Sequence, residues 1–261
     1  LIEGGTTVDL ITPLLDGTAQ FGIMGASALI TARAEGQPVV GLATILRRDP
    51  VVFFSLAESA IVRLEDLVGK RIQVSERLRP RLRAMLGHAG LDPDSVVEVP
   101  TASAADLYSG KVDVASGLVT STVLAARRAG HEVNLIYPDD YGVHFYSITI
   151  FSTDDLVAAN PELVARFLRA TLKGWTWAVE NPQAVGPLVV LYKPDADPVF
   201  ESASMIASLP YINTGEDNIG WMEPETWEGM VETMREQNEL TLPLDVHKVY
   251  TMQFIQQIYG G

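Results

Sequence analysis

The histidine, serine and carboxylate side chains of this chain do not have the spacing of a known catalytic or metal site. The four histidines are scattered, with neither a His-Glu-x-x-His pair nor a Gly-x-Ser-x-Gly turn around a nucleophile. There is no cysteine, which excludes disulfides, thiolate metal ligands and a cysteine nucleophile. The sequence therefore predicts a protein that is not an enzyme and that holds no metal and no cofactor.

Aromatic side chains are concentrated in one short segment. Tyr141, His144, Phe145 and Tyr146 lie within six positions of one another. Flat heterocycles are bound between aromatic faces with a few polar groups for orientation, and such pockets favour junctions between domains. We expect ligand contact here, first of all from Tyr141, with packing at a hinge as the alternative.

An internal repeat organises the first half of the chain. The segment that starts at Leu15 resembles the one that starts at Tyr108, and the similarity continues to Gly36 and Gly130. Each copy has the pattern of a helix end, a turn, a short apolar strand, a helix and another strand. Each copy also has a glycine after its first helix, where a positive φ is expected: Gly17 and Gly110. Alternating short strands and helices predict an α/β fold, and two copies predict two similar lobes.

The corner between strand and helix in each copy is a candidate ligand site. In open α/β sheets, ligands bind at the carboxyl ends of strands, where helix N-termini present free backbone N–H groups. These corners contain Met24 and Ser27 in the first copy, and Gly117 and Thr120 in the second. Ser27 and Thr120 are also placed as helix N-caps, and capping alone would explain their hydroxyl groups.

Two groups of arginines are further candidates. Arg48 follows the apolar run Val39 to Ile45, where its guanidinium could meet an anionic or carbonyl group of a ligand; a solvated basic pair with Arg47 is the alternative. A second run alternates along the chain: Arg77, Arg79, Arg81 and Arg83. We expect it to form a solvated face, with steering of an anionic ligand or contact with a transporter as the alternative.

Composition narrows the class of protein. The 261 residues are 47% hydrophobic, enough to bury a core, and the formal net charge is −14. We expect no binding of nucleic acid, because such binding needs clustered basic residues. The apolar runs are too short to cross a bilayer. The last third has helical spacing, with segments at 152–180, 224–239 and 250–258.

At several of these places the chain resembles the NMT1/THI5-like (SsuA/THI5) group of type II periplasmic binding proteins. The resemblance covers nearly the whole chain and is carried by the order of its motifs: Asp16–Ile23, Ala32–Val40, Leu64–Ile72, Asp140–Val143, Asn160–Val164 and Lys173–Trp175.

The resemblance implies a two-lobed α/β fold with a ligand cleft between the lobes. Lobe one would comprise residues 1–68 and, as a helical wrap, 145–261, with lobe two at 69–144. Compared with the family pattern, we expect the first strand and helix of lobe one to be missing from the sequence as it starts at Leu1. Relatives also tend to have Gly-Asp where this chain has Ser147-Ile148.

The resemblance also implies a function. Such proteins are monomers, periplasmic or extracellular, and deliver a small molecule to the membrane permease of an ABC importer; a lipid anchor on a preceding segment is one option. A thiamine pyrimidine precursor or riboflavin-like heterocycle is the expected ligand. A sulfonate or nitrate binder, or the extracellular sensing domain of a histidine kinase, is the alternative. The related eukaryotic pyrimidine synthases use a cysteine-rich motif that this chain lacks.

Overall fold

The computed structural model describes residues 1–2, 8–100, 103–212 and 218–260. The strands are β1 Gly22–Met24, β2 Val39–Thr44, β3 Val51–Leu56, β4 Arg71–Gln73, β5 Val97–Val99, β6 Val114–Leu118, β7 Val133–Ile136 and β8 Thr149–Thr153. The helices are α1 Thr12–Leu15, α2 Ala26–Ala34, α3 Arg79–His88, α4 Ala104–Tyr108, α5 Leu124–Arg128, α6 Asp154–Ala159, α7 Pro161–Glu180, α8 Val185–Val189, α9 Pro198–Ile212, α10 Pro224–Glu236 and α11 Gln253–Tyr259. No helix in this described part of the chain is long and apolar enough to cross a membrane.

The strands form two sheets that share a pattern. One sheet has the order β1-β8-β2 and the other the order β5-β4-β6-β3-β7. In each, the strand that enters from the other sheet lies antiparallel between two neighbours: β8 between β1 and β2, and β3 between β6 and β7. Strands β4, β5 and β6 run parallel to one another.

The internal repeat of the sequence is confirmed by this topology. The first copy supplies β1, α2 and β2, and the second supplies β6, α5 and β7, which occupy matching positions in their sheets. Gly17 and Gly110 have φ of +79° and +72°, the left-handed region that glycine adopts without strain. Within the described residues, the three-stranded sheet ends at β1, where Ile23 is exposed, whereas the five-stranded sheet continues past β6.

The predicted N-caps are wrong. Gly25 is the N-cap of α2, and Ser27 already lies inside that helix, where its carbonyl accepts a hydrogen bond from the Thr31 hydroxyl. Thr120 lies within a π-helical turn, Val119–Val123, that leads into α5. Both hydroxyls therefore follow the true helix start, because each helix begins closer to its strand than the Ser and Thr preference suggested.

The chain leaves the three-stranded sheet earlier than the expected lobe boundary. Strand β3, Val51–Leu56, pairs with β6 and β7 in the five-stranded sheet, although the sequence placed it in lobe one. The change of sheet falls between Thr44 and Val51 on the way out and between Ile136 and Thr149 on the return. We call residues 45–50 and 137–148 the first and second crossings. The division at residues 68 and 144 stays a prediction.

Two hydrophobic clusters hold the molecule together, one on each face of the sheets. The first includes Leu29 of α2, Met85 of α3 and Trp227 of α10, together with Phe53 of β3 and Phe151 of β8. The second lies against the opposite faces of the same strands. It combines residues of β2, β3 and β8 with residues of α4, α7 and α11: Leu42, Phe54, Ile150, Leu107, Leu168 and Phe254. Each cluster thus contains residues of both sheets, so the two halves share their cores.

The C-terminal third is helical, as its spacing predicted. Asn160 begins α7 by accepting a hydrogen bond from the Leu163 amide, with Pro161 in the first turn. Helix α10 stops at Glu236 rather than Glu239, and the final helix is Gln253–Tyr259. These helices cover both faces of the three-stranded sheet and reach the five-stranded part of the molecule.

Candidate functional site

The two crossings lie side by side and bring the strand ends of both sheets together. The Ile45 amide donates to the Ile148 carbonyl at 2.7 Å, and the Ser147 amide donates to the Leu46 carbonyl at 3.0 Å. On the other side, the Val119 amide at the end of β6 donates to the Pro50 carbonyl at 2.9 Å. The carboxyl ends of β1 and β2 therefore face those of β4 and β6 across the crossings, as ligand binding at such ends requires.

Gly25, Arg77 and Ser147 meet at the centre of this arrangement. A Cβ atom on Gly25 would lie 3.5 Å from Nη2 of Arg77 and 3.9 Å from the carbonyl oxygen of Ser147. Gly25 follows β1, Arg77 follows β4 and Ser147 lies in the second crossing. One residue from each sheet and one from a crossing thus border the same small space, which we call the corner site.

A buried ion pair fixes the first crossing to α3. Nε of Arg81 donates to Oδ2 of Asp49 at 2.9 Å, and the side chains are 8% and 10% exposed. The Phe145 ring lies 4.3 Å from the guanidinium carbon of Arg81. Burial raises the pKa of the Asp49 carboxyl, and the charge of Arg81 opposes this shift. Burial likewise raises the pKa of Glu239, again against the charge of Arg81.

A second set of charges binds the same crossing to the turn after β7. Arg48 donates from Nε to Oδ2 of Asp139 at 2.6 Å, and Nδ1 of His144 lies 2.8 Å from Oδ1 of the same carboxylate. Arg48 also lies 3.6 Å from Asp140. Arg48 is therefore committed to protein carboxylates, and a ligand would have to compete with Asp139 for it.

The predicted aromatic residues Phe145 and Tyr146 lie in the core. They are 1% and 2% exposed. The Tyr146 hydroxyl accepts a hydrogen bond from the Glu223 amide at 2.8 Å, and its ring meets Trp227 edge to face. Both rings already have protein partners, so stacking on a ligand would require them to move. Ligand contact by either residue stays a prediction.

Tyr141 lies away from the corner site, and His144 lies at the surface of the second crossing. Tyr141 is half-buried, and its carbonyl lies 3.0 Å from Nδ1 of His88, the last residue of α3. Helix α3 begins near the corner site and ends here, which separates Tyr141 from the strand ends by the length of the helix. The exposed His144 ring lies next to the Asp139 carboxylate, with 2.8 Å between Nδ1 and Oδ1. Their contact with a ligand also stays a prediction.

The remaining predicted residues lie at the two strand-to-helix corners. Met24 ends β1 beside Gly25, and Ser27 lies in the first turn of α2. Thr120 is buried. At Gly117, a Cβ would lie 2.7 Å from Cβ of Thr122, so local packing by itself explains this glycine. The structure brings these corners to the crossings, and which side chains contact a ligand stays a prediction.

A separate cavity of about 410 Å³ lies at the far end of the three-stranded sheet. Its lining includes Leu14, Gln20 and Pro38, with Thr153 at the end of β8 and Leu156 on α6. Because β8 is antiparallel to β1 and β2, this end is opposite the corner site. Its size is typical of ligand pockets, and its lining includes the carboxylates of Asp16 and Asp155. The carboxyl ends of β1, β2, β4 and β6, by contrast, lie at the crossings.

Sequence reasoning missed three residues at the crossings. The run from Arg77 to Arg83 was expected to be a solvated face, which is wrong for Arg81, because it is buried on Asp49. Arg79 and Arg83 do lie at the surface, paired with Glu98. Asp49 was not singled out, and Arg77 was named only as a member of this run. An alternating run of arginines next to Pro80 was the available signal, but it does not say which side chain faces inward.

No cluster of three or more metal-ligating side chains occurs in the part of the chain that the structure describes.

Comparison with known protein families assigns the chain to a family. The family described as NMT1/THI5 like matches residues 1–185. The chain belongs to the NMT1/THI5-like family. Three curated relatives cover most of it. The riboflavin-binding protein RibY of Chloroflexus aurantiacus is 28% identical over 90% of this chain and 70% of its own length. The formylaminopyrimidine-binding protein of Halalkalibacterium halodurans is 27% identical over 93% and 79%.

The third relative bears the name of an enzyme. It is the 4-amino-5-hydroxymethyl-2-methylpyrimidine phosphate synthase of Legionella pneumophila, 23% identical over 92% of this chain and 76% of its own length. The chain is thus similar both to named binding proteins and to a named synthase.

Solved structures confirm the fold of this NMT1/THI5-like chain. A putative periplasmic sulfonate-binding protein, SsuA, of Methylobacillus flagellatus has a TM-score of 0.73 at 19% identity, covering 95% of this chain and 77% of its own. The fold is therefore the α/β type II periplasmic binding protein fold predicted from the sequence. At this identity, the likeness shows the fold alone.

Proposed function

We propose that the chain is the extracytoplasmic binding component of an ABC importer and that it closes its two lobes around a pyrimidine- or flavin-like heterocycle. The observation that carries the proposal is the meeting of strand ends from both sheets at the crossings, where Gly25, Arg77 and Ser147 border one space. The names of the riboflavin-binding and formylaminopyrimidine-binding relatives support the ligand class.

Binding would act through the equilibrium between open and closed lobes. A ligand shifts this equilibrium only by its difference in affinity for the two states, so groups that approach from both lobes are the effective ones. Arg77 and Gly25 are such a pair, because Gly25 follows a strand of the three-stranded sheet and Arg77 follows a strand of the five-stranded sheet. The crossings 45–50 and 137–148 would absorb the rotation, and the closed form would be the one that a membrane permease binds.

We further propose that the chain performs no chemistry on its ligand. The absence of cysteine supports this, because no thiolate nucleophile can form. The synthase relative favours the second candidate, an enzyme acting on a pyrimidine. Recovery of the ligand unchanged after prolonged incubation, checked by mass spectrometry, would support the binding protein, whereas a new product would support the enzyme.

The test of the function is a thermal-shift screen followed by calorimetry. The compounds are riboflavin, formylaminopyrimidine, alkanesulfonates and nitrate. A compound that binds only the folded state stabilises it, by about 2.7 kcal/mol at a concentration of a hundred times its Kd. The melting temperature therefore rises. We expect a shift with riboflavin or formylaminopyrimidine. A shift with sulfonates or nitrate alone would contradict the proposed ligand class.

A further inference from the structure

Arg77 is exposed, and among the described residues it differs from the other arginines of its segment in that no carboxylate is paired with its guanidinium. Within the described ranges, its guanidinium makes neither a hydrogen bond nor an ion pair, whereas Arg79, Arg81 and Arg83 each have a carboxylate. A guanidinium presents several N–H donors in a planar fork and stays charged at all working pH values. Its donors are thus available to a ligand.

The space in front of Arg77 is open because residue 25 is a glycine. Gly25 has φ −71° and ψ 144°, an ordinary extended conformation that any residue adopts. The backbone therefore does not require glycine here. What glycine provides is the room that a side chain would fill, 3.5 Å from Nη2 of Arg77.

The carboxylate of Asp49 does not use the Arg77 donors. Asp49 is close enough for its charge to interact with that of Arg77, but its carboxylate accepts the hydrogen bond of Arg81 at 2.9 Å. The Arg77 guanidinium thus lies beside the space at Gly25, which the backbone carbonyl of Ser147 also borders. An acceptor oxygen from outside the chain would complement it.

We propose that Arg77 is a specificity-determining residue that donates hydrogen bonds to an oxygen of the bound ligand, in the space that Gly25 leaves free. The inference rests on the proposed binding function and deepens it. It assigns to the ligand an accessible acceptor oxygen, either a ring or formyl carbonyl or an oxoanion.

Two substitutions test this assignment. Arg77→Met keeps most of the side-chain length and removes all donors, so Kd should rise by about 10- to 100-fold. Gly25→Ala places a methyl group in the space and should weaken binding of the same compound. The matched control is Arg127→Met, an exposed arginine in the last turn of α5, at the end remote from the corner site. It should leave Kd unchanged.

The measurement is calorimetric titration of each variant with riboflavin, formylaminopyrimidine and methanesulfonate, with melting temperatures to check folding. A Kd that rises steeply with salt identifies an oxoanion, and a nearly constant Kd identifies a carbonyl, because screening acts on full charges. Equal Kd values for the wild type and a folded Arg77→Met variant would overturn the role of Arg77 while leaving the binding function intact. Failure of every compound to bind the wild type would overturn the binding function and this inference together.

Discussion

Arg48 and Asp49 are adjacent in the first crossing, and both tie it to the five-stranded part of the molecule. Arg48 binds Asp139 in the turn after β7, and Asp49 binds Arg81 on α3. The two pairs differ in burial, since Arg81 is 8% exposed and Arg48 is 40% exposed. Removing one member of a buried pair leaves an uncompensated charge, which costs far more than losing a surface pair.

Asp49→Asn should therefore be strongly destabilising. We expect the free energy of unfolding to fall by roughly 3–5 kcal/mol, because the guanidinium of Arg81 would stay buried without its counter-ion. Urea unfolding followed by circular dichroism measures the difference. The matched control is Asp94→Asn, which removes the exposed partner of Arg83 and should cost less than about 1 kcal/mol. Equal losses in the free energy of unfolding would show that the buried pair stabilises the fold no more than the exposed pair.

At the scale of elements, the start of α4 shows how a capping box depends on pH. The Ser103 amide donates to Oδ2 of Asp106 at 2.8 Å, and Lys111 donates to Oδ1 at 2.9 Å. The bond from the Ser103 backbone, followed by that from Lys111, lowers the pKa of Asp106 to about 2. Because the pKa is lowered in the folded state, the stabilisation is present above the ordinary value near 4 and is lost as pH falls toward 2.

Asp106→Asn should therefore reduce the dependence of stability on pH in acid. The wild type loses stability between about pH 4 and pH 2 as Asp106 takes up a proton, and the variant has no such group. Melting temperatures at closely spaced pH values measure this slope. Asp92→Asn is a suitable comparison, because Asp92 also caps a turn by accepting from the Asp94 amide. If Asp106→Asn left the acid slope at its wild-type value, the capping contribution would be refuted.

At the scale of the whole molecule, each hydrophobic cluster contains strands of both sheets. Phe53 and Phe151 share the first cluster, and Phe54 and Ile150 share the second. Loss of packing in one half therefore removes partners from the other. The expected behaviour is cooperative unfolding of both halves rather than independent unfolding of two lobes.

Tryptophan fluorescence provides a local probe of this cooperativity. All four tryptophans follow β8, so their fluorescence reports on the C-terminal third of the chain: Trp175, Trp177, Trp221 and Trp227. Far-UV circular dichroism reports on the whole chain. We expect the two signals to have the same midpoint in urea. A fluorescence transition displaced from the circular dichroism transition would indicate that the halves unfold separately.

Much of this architecture follows from the order of residues alone. The repeat, the glycines after its first helices and the α/β class are local patterns of spacing and backbone preference, and they hold in the structure. The start of α7 at Asn160-Pro161 is likewise local. These features depend on neighbours in the chain, so a single sequence contains the information.

The pairing across the molecule was decided only by the tertiary structure. The sequence could not show that β3 joins the five-stranded sheet, because an apolar strand pairs equally well in either sheet until its partners are known. It could not show that Arg81 is buried on Asp49 while Arg77 faces Gly25, because alternation along a chain does not specify which face turns inward. Local patterns thus determined the elements, and long-range packing determined which residues meet at the corner site.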